Sequence, residues 1–414
     1  MSARRVVVTG LGPVTPVGVG AKDFHVGQLD GRSGVRAITR FDASDLPVRI
    51  GGEVELPEHL ALTRRERAAT DRCTQLGAAA AALAIEDSGL DLAAEDPARI
   101  GVSIGTGCGG ASSIEDSSRA FLDRGLSAVP ARFVPMSMAN STAAWVAIHH
   151  GLTGPCTTSV TACASGAESL VAAHQMIMAG EADVVLAGGA EAPLTPMIVA
   201  SFARMKALST RNDEPERASR PFSADRDGFV LSEGAAVLVL EDAEHAAARG
   251  ATPLAEFRGY GRSCDAHHIV APNPDGTSAA RALTAALRSS GLTPDEVSYI
   301  NAHGTGTPFN DASEARALHL ALGEAAARIP VSATKSMTGH SLGAAGAIEA
   351  VASIQALGQG TLPPTANLES LDPAVGLDVI GSEPRESEST AVLSNSFAFG
   401  GHNVVLAFAR PGRD

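Results

Sequence analysis

The sequence predicts an α/β fold whose sheets are covered by helices on both faces. Short apolar runs such as Ile100–Ile104 and Glu233–Leu240 have the length and composition of buried strands, and helical patterns separate them. The second half of the chain repeats the same order of strand, polar or glycine turn, and helix. No Pro/Ser-rich linker separates the halves, so we expect them to pack as one body.

The elements can be predicted in order along the chain. The run Val6–Thr9 has the pattern of a strand, and Gly10 and Gly12 after it resemble a dinucleotide-binding fingerprint. Because the third glycine is absent and two prolines follow, we predict a structural turn instead. Asp311 and Glu314 have the spacing of a capping box ahead of a helix at 315–322. Further helices are predicted at 63–85, 164–179, 241–249, 277–290 and 342–357, and further strands at 297–300, 329–334, 392–395 and 404–408.

Composition limits the possible functions. The net charge is −14 and only 4% of the residues are aromatic, which argues against a general nucleic-acid or anionic-membrane binder. The five cysteines form an odd set without a CxxC pair, which fits a reducing compartment. The sequence shows no signal-peptide pattern and no apolar stretch of about 18 residues that could span a bilayer. We therefore expect a cytoplasmic protein.

Cys163 is the first candidate for catalysis. It lies at the start of a predicted apolar helix that ends before Gly180, where a left-handed C-cap belongs. Unpaired backbone N–H groups and the positive end of the helix dipole are expected to lower the pKa of this thiol and make it nucleophilic. The alternative is a cysteine that only packs, because free cysteine is among the most buried residue types.

Two histidines follow predicted strands and are flanked by glycine. These are His303 and His340, with Lys335 five residues before the second. Functional residues of open α/β sheets collect beyond the carboxyl ends of the strands, so we expect these side chains to form a site with Cys163. No zinc-ligand spacing is present, and no metal is expected. A papain-like thiol protease is disfavoured because its Cys-Gly-Ser-Cys-Trp type of signature is missing.

Seven segments together resemble the β-ketoacyl-acyl-carrier-protein synthases, the condensing enzymes of the thiolase-fold family. They are VVVTGLGPVTPVG, TACASGA, AGGAEAPLTP, ALSTRNDEPERASRPFSADRDGFVLSEGAAVLVLE, NAHGTGTP, TKSMTGHSLGAAGA and SNSFAFGGHN. The resemblance covers essentially the whole chain and is to the elongating type or the ketosynthase subunit of a type II polyketide system. It implies a thiolase-like five-layered α/β/α/β/α fold from two similar halves, residues 1–250 with the nucleophile and 251–414 with both histidines.

The resemblance also implies an activity, a decarboxylative Claisen condensation. An acyl thioester on Cys163 would react with malonyl-acyl carrier protein and give β-ketoacyl-acyl carrier protein. The backbone N–H groups of Cys163 and Phe399 would form the oxyanion hole. His303 and His340 would stabilise the enolate that forms as CO2 leaves. No cofactor of the chain's own is implied, because the phosphopantetheine arm belongs to the carrier protein.

Further positions are matched to substrate and carrier binding. Lys335 resembles the lysine that orders the two histidines, paired with Glu349, since a buried unpaired lysine would be costly. Phe399 resembles the residue that gates the acyl pocket. The substrate-binding positions implied by the resemblance are Thr305, Thr307, Cys108, Phe397 and Glu349. The basic patch that docks an acidic carrier protein is matched by Arg64, Arg65, Arg67 and Lys206.

Two positions depart from the family pattern. Ala398 stands where the gating loop commonly has glycine; if the position needs a positive φ, alanine costs about 1 kcal/mol and stiffens the gate. His402 replaces a threonine found in many bacterial members. Two roles stay open: fatty-acid elongation as a homodimer, or the catalytic subunit of a type II polyketide or polyene synthase that forms a heterodimer with a chain-length-factor homologue.

Two related classes are disfavoured. The non-catalytic chain-length subunit has the same fold but lacks the nucleophile, which is present here as Cys163. A degradative thiolase would use a second cysteine near the C-terminus, where this chain has residues 397–402 without cysteine.

Overall fold

The computed structural model describes residues 4–412. The first half contains β1 Val6–Val14, α1 Ala21–Leu29, β2 Val35–Ala37, β3 Ile50–Gly52, α2 Arg64–Arg67, α3 Arg72–Ser88, β4 Ile100–Gly105, α4 Ala111–Arg124, α5 Phe133–Ser137, α6 Ser141–His150, β5 Cys156–Thr157, α7 Ser165–Met178, β6 Val184–Glu191, α8 Pro196–Arg204, β7 Gly234–Asp242 and α9 Ala243–Ala248. The second half contains β8 Ala255–Cys264, α10 Thr277–Ser290, β9 Tyr299–Asn301, α11 Pro308–Leu322, β10 Pro330–Ser332, α12 Lys335–Thr338, α13 Ala345–Gln359, β11 Thr361–Leu362, β12 Asp378–Val379, β13 Arg385–Glu386, β14 Ala391–Ala398 and β15 His402–Ala409.

Strand pairing repeats between the two halves. In the first half, the order β1-β7-β6-β4-β5 has two antiparallel pairs followed by two parallel pairs. In the second half, β8-β15-β14-β9-β10 has the same sequence of antiparallel and parallel pairs, and β12 extends its edge. The two sheets touch where β1 pairs with β8, with Val8 opposite Ala255. The prediction of an α/β fold from two similar halves is confirmed, whereas the division at residue 250 stays a prediction.

Two central helices lie between the sheets. Helix α7 packs on β6 and β4, α13 packs on β14 and β7, and the two helices contact each other. Helix α3 covers β1 and β7, and α10 covers β8 and β15, so helices and sheets alternate in five layers. The central helices approach closely because Gly166 has no side chain; a Cβ there would lie 2.9 Å from the carbonyl oxygen of Gly343. Helix α7 is buried along most of its length, as its composition predicted.

Three local predictions are wrong. Gly10 and Gly12 lie inside β1 and form no turn; a Cβ at Gly12 would stand 2.0 Å from the carbonyl oxygen of Ala80 on α3. The predicted helix 63–85 is two helices, because Asp71 caps a new start by accepting a hydrogen bond from the Cys73 N–H. Helix α11 begins at Pro308 rather than 315, with Thr307 as its N-cap. The predicted capping box at 311 and 314 therefore lies inside the helix.

A charged cluster ties β7 to α9 and to the segment before β4. The buried carboxylate of Glu241 accepts a hydrogen bond from Arg249 Nη2 at 2.5 Å. His245 Nδ1 lies 2.9 Å from Glu241 and its Nε2 lies 3.0 Å from Glu95. Burial lowers the pKa of His245, but the hydrogen bonds to Glu95 and Glu241 outweigh it, and the net pKa is raised.

This cluster should make stability depend on pH. A histidine whose pKa is raised in the folded state stabilises the fold below its unfolded pKa of about 6.5 and loses that contribution as the pH rises through the folded pKa. The ring of His245 is half-buried, so solvent screening limits the effect to about 1 kcal/mol or less. We expect wild type to exceed His245→Gln in free energy of unfolding by more at pH 6 than at pH 9, measured by urea denaturation. A difference in free energy of unfolding between wild type and variant that is the same at both pH values would contradict this prediction.

Candidate functional site

One cavity of about 280 Å³ collects the predicted catalytic side chains. It lies where loops from both halves meet, beyond the carboxyl ends of the parallel strands. Its lining includes, among other residues, Cys163, Lys206, His303, Thr305, Thr307, His340, Phe397 and Phe399. The structure thus brings together the predicted nucleophile of the first half and the predicted catalytic histidines of the second.

Cys163 lies in a tight turn, Ala162–Ala164, directly before α7, and is 6% exposed. Ser165 braces this turn: its hydroxyl donates to the Ala162 carbonyl oxygen at 2.6 Å and accepts the Thr161 N–H at 2.9 Å. Burial raises the pKa of Cys163 to about 12, although Lys335 and backbone N–H groups oppose the rise. This reverses the direction expected from the helix start, so the resting side chain is a thiol that must give up a proton.

The oxyanion-hole prediction concerns the N–H groups of Cys163 and Phe399. The backbone N–H groups of both residues favour the thiolate of Cys163 and so oppose the rise in its pKa. Phe399 follows Ala398, the position at which the sequence does not decide whether φ is positive. Ala398 has φ −120° and ψ 158°, ordinary extended backbone, while the positive φ of 81° falls on Gly400. Alanine at 398 is therefore unstrained in this conformation, and the free-energy cost that a positive φ would impose on alanine does not apply.

His303 and His340 face each other with ring centroids 5.4 Å apart and ring planes at 84°. Burial, reinforced by Lys335, lowers the pKa of both rings well below the usual value of 6.5, so both are neutral imidazoles at pH 7. Backbone pairing holds His340: its N–H donates to the Val230 carbonyl oxygen at 2.7 Å. Its ring packs edge-on against Phe229 at 5.2 Å.

Lys335 fixes the tautomer of His303. Its Nζ lies 3.2 Å from His303 Nδ1 and 2.6 Å from the His303 carbonyl oxygen, and it forms an ion pair with Glu349. An ammonium has three donors and no acceptor, so these three partners use its N–H groups fully. His303 Nδ1 must then accept, and its proton is on Nε2. The predicted pair of Lys335 and Glu349 is present, and both side chains are 2% exposed.

Two carboxylates that the sequence assigned to a capping box brace the loop of His303. Glu314 accepts the backbone N–H groups of His303 and Gly304, each at 2.8 Å, and the side-chain amide of Asn395 at 3.0 Å. Asp311 accepts the N–H of Gly306 at 3.2 Å. The signal available was their spacing after the NAHGTGTP motif, but spacing alone cannot tell a helix cap from a loop brace.

The other predicted binding residues fall in two places. Thr305 and Thr307 line the cavity with their hydroxyl oxygens 3.0 Å apart, and the ring of Phe397 lies 6.2 Å from that of His303. Cys108 is outside that lining; burial first, then the charges of Glu191 and Cys163, raise the pKa of Cys108 to about 12. Its role in an acyl pocket stays a prediction.

The four predicted docking residues lie in two stretches of the chain, one before α3 and one after α8. Lys206 lies at the catalytic cavity. Arg64, Arg65 and Arg67 lie on the exposed helix α2, and Arg65 lines a different cleft with Trp145 and Arg132.

The fold and cavity define a class of enzyme. A buried thiol whose thiolate is favoured by two backbone N–H groups, in one cavity with two neutral imidazoles, is suited to covalent acyl transfer followed by stabilisation of a second oxyanion. The chain belongs to the β-ketoacyl synthase family. The model of the N-terminal domain of beta-ketoacyl synthase matches residues 3–246, and that of the C-terminal domain matches residues 254–369. The chain is thus a condensing acyltransferase.

Known relatives and solved structures match this chain along almost its full length. The chain is 48% identical over 411 residues to 3-oxoacyl-[acyl-carrier-protein] synthase 2 of Synechocystis and 45% identical to that of Coxiella burnetii, covering 99% of both chains in each case. Among structures, the ishigamide ketosynthase/chain length factor has a TM-score of 0.93 at 36% identity, covering 99% of this chain and 100% of that one. A type II polyketide ketosynthase in complex with its acyl-carrier protein has a TM-score of 0.92 at 34% identity, with the same coverage.

Within residues 4–412, every helix is too short or too polar to span a bilayer.

Proposed function

We propose that the chain elongates acyl chains by decarboxylative condensation, with Cys163 as nucleophile and His303 and His340 as the enolate-binding pair. The observation that carries the proposal is the single cavity that joins a buried thiol to two neutral imidazoles from the other half of the chain. Thr305 and Thr307 in the same cavity are proposed to bind the phosphopantetheine arm, which the carrier protein supplies; no cofactor of the chain's own is proposed.

In the first half-reaction, Cys163 Sγ attacks the carbonyl carbon of a carrier-bound acyl thioester. Burial keeps the thiol protonated, and the neutral imidazole of His340 takes its proton, because His303 Nδ1 faces Lys335 and its Nε2 already carries a proton. The N–H groups of Cys163 and Phe399 bind the oxyanion. The intermediate collapses by breaking the bond to the arm's sulfur, which takes up the proton and leaves the acyl group on Cys163.

In the second half-reaction, a malonyl thioester loses CO2. The carbon–carbon bond to the carboxylate breaks, and its electron pair forms an enolate whose oxygen accepts the Nε2–H of His303 and a ring N–H of His340. The enolate carbon attacks the acyl carbonyl on Cys163 and forms the new carbon–carbon bond. The carbon–sulfur bond then breaks, and the Cys163 thiolate takes a proton from solvent.

An acidic carrier protein is the proposed macromolecular partner. Within residues 4–412, Arg64, Arg65 and Lys206 have no carboxylate within 4.0 Å, so these cations are available to a partner although the chain carries a net charge of −14.

Reversing the charge at the cavity mouth should weaken carrier binding alone. We expect Lys206→Glu to raise the KM for an acyl-carrier protein by about three- to tenfold, because a like charge replaces an attractive one, and to lower its sensitivity to salt. The KM for a small acyl thioester without a carrier should not change. The control is Lys22→Glu, an exposed lysine on α1 outside the cavity lining. An equal effect on both substrates would contradict a docking role.

A second subunit is proposed to cover an apolar surface around β5. This strand pairs with β4 and, in the described residues, has no neighbour on its other side. Large apolar side chains are exposed nearby in sequence, namely Phe121, Leu122, Leu126, Val134, Ile148 and Val160. The partner is a second copy or a chain-length-factor homologue. A cytoplasmic location is part of this proposal, supported by five free cysteines.

The experiment is to incubate the purified chain alone with acyl-carrier proteins of several lengths and malonyl-carrier protein, and to detect β-ketoacyl product by mass spectrometry. Condensation by a dimer of the lone chain supports the homodimeric elongating enzyme. Acylation of Cys163 without condensation supports a catalytic subunit that needs a homologous partner. Neither acylation nor condensation, in a folded protein, would contradict the proposed function.

A further inference from the structure

A buried carboxylate lies beside the site and is not used by the mechanism above. Glu191 is the last residue of β6 and is 0% exposed. Within the described chain no lysine, arginine or histidine forms an ion pair with it, whereas Glu349, another buried carboxylate of the site, is paired with Lys335. A buried carboxylate without a cation must be stabilised by hydrogen bonds to be retained.

Four donors from two separate segments supply those bonds. Glu191 Oε1 accepts the Thr106 hydroxyl at 3.0 Å and the Cys108 N–H at 3.1 Å. Its Oε2 accepts the Gly107 N–H at 2.5 Å and the Gly343 N–H at 3.0 Å. The first three donors belong to the glycine-rich turn after β4, and the fourth belongs to the turn that follows His340.

The same carboxylate lies next to two strained turns. Leu342, directly before Gly343, has φ 44°, and Ala162, directly before Cys163, has φ 50°. Such conformations cost about 1–2 kcal/mol each in non-glycine residues and persist only where neighbouring structure holds them. A Cβ at Gly107 would lie 2.9 Å from Glu191 Oε2 and 3.7 Å from the Ala162 carbonyl oxygen, so the three segments meet at this point.

We propose that Glu191 is a positioning residue of the condensing site, whose carboxylate joins the turn of Cys108 to the turn after His340 and supports the turn that carries Cys163. It sets the distance between the nucleophile of the first half and the histidine of the second. The inference rests on the proposed condensation at Cys163 and adds to it a residue that touches neither substrate nor reacting atom.

An amide cannot replace this carboxylate. A carboxylate presents two acceptor oxygens, and here each accepts two hydrogen bonds. Glutamine would place an NH2 group against either the Gly107 and Gly343 N–H groups or the Cys108 N–H, so donor would face donor in both orientations. The negative charge of Glu191 also raises the pKa of Cys163, in the same direction as burial.

The test compares Glu191→Gln with Glu191→Asp. We expect kcat for condensation to fall about tenfold or more in both variants. Glutamine places a donor against a donor, aspartate is too short to reach both turns, and a small displacement of the reacting groups lowers the rate steeply. The pH midpoint for iodoacetamide alkylation of Cys163, followed on its peptide by mass spectrometry, should move to lower pH in Glu191→Gln. It should stay near wild type in Glu191→Asp, which keeps the charge.

Glu241→Gln is the matched control, because Glu241 is also 0% exposed but lies away from the cavity. It should leave both the kcat and the alkylation midpoint unchanged. The proposal is overturned if either Glu191 variant keeps kcat within about twofold, if Glu191→Gln keeps the wild-type midpoint, or if both Glu191 variants fail to fold while Glu241→Gln folds. A wild-type chain that does not condense would defeat the proposed function, and the alkylation comparison would still test Glu191.

Discussion

Lys335→Met is expected to lower the free energy of unfolding by about 3–5 kcal/mol, because it leaves the carboxylate of Glu349 buried without its partner. Burial already raises the pKa of Glu349 to about 7 against the opposing charge of Lys335. Without the lysine, the folded state should hold Glu349 protonated. The folded state then binds more protons than the unfolded state, so the variant should lose stability as the pH rises from 5 to 8, by at most about 1.4 kcal/mol per pH unit.

The same substitution should lower kcat by a separate route. Lys335 donates to His303 Nδ1 and thereby keeps the ring proton of His303 on Nε2. Without Lys335, the tautomer that is proposed to bind the enolate is no longer fixed. We expect a loss on the order of a hundredfold in kcat.

A double variant, Lys335→Met with Glu349→Met, separates the two effects. Removing both charges should restore most of the stability, because a buried ion pair can be replaced by apolar side chains at little cost. It should not restore kcat. Urea denaturation at pH 5 and 8 and steady-state kinetics provide the measurements; recovery of kcat together with stability would show that Lys335 is only structural.

His303→Ala and His340→Ala should each abolish most of the decarboxylation, and His303→Ala should spare acylation. Both rings are proposed to donate to the same enolate oxygen, so removing one donor should cost about a hundredfold or more in CO2 release from malonyl-carrier protein. Acylation of Cys163 should fall by only about tenfold in His303→Ala, because the ring of His340 can still accept the thiol proton.

The half-reactions can be measured separately, as CO2 release without an acyl donor and as acyl transfer without malonyl-carrier protein. His319→Ala is the control, since this ring lies on α11 at 3.2 Å from the Val375 carbonyl oxygen, outside the cavity lining. Equal losses in both half-reactions of His303→Ala would contradict the proposed division of roles.

The candidate catalytic side chains could be identified from sequence because each belongs to a local pattern. Cys163 stands at the start of an apolar helix, and His303 and His340 follow strands beside glycine. The carboxyl ends of the parallel strands in an α/β fold lie at one edge of the sheet. Residues that follow such strands can therefore be expected to share a cavity, and in the structure they do.

The electrostatics could not be predicted in the same way. The pKa of Cys163 is set by burial where the two halves meet, which is a tertiary property that outweighs the helix start. The sequence does not predict the contacts of Glu191 and Glu314 for the same reason, since Glu191 accepts the backbone N–H of Gly343 and Glu314 accepts the side-chain amide of Asn395, both distant in sequence. Gly10 and Gly12 were assigned to a turn because the close approach of α3 that requires glycine inside β1 has no local signature.

Mapping the acyl group by mass spectrometry tests the central claim most directly. The chain is incubated with an acyl-carrier protein in the absence of malonyl-carrier protein, and every cysteine-containing peptide is analysed. The account predicts one acyl group per chain on the Cys163 peptide, and neither acylation nor condensation by a folded Cys163→Ala variant. An acyl group on another residue, or a Cys163→Ala variant that still elongates an acyl chain, would contradict it.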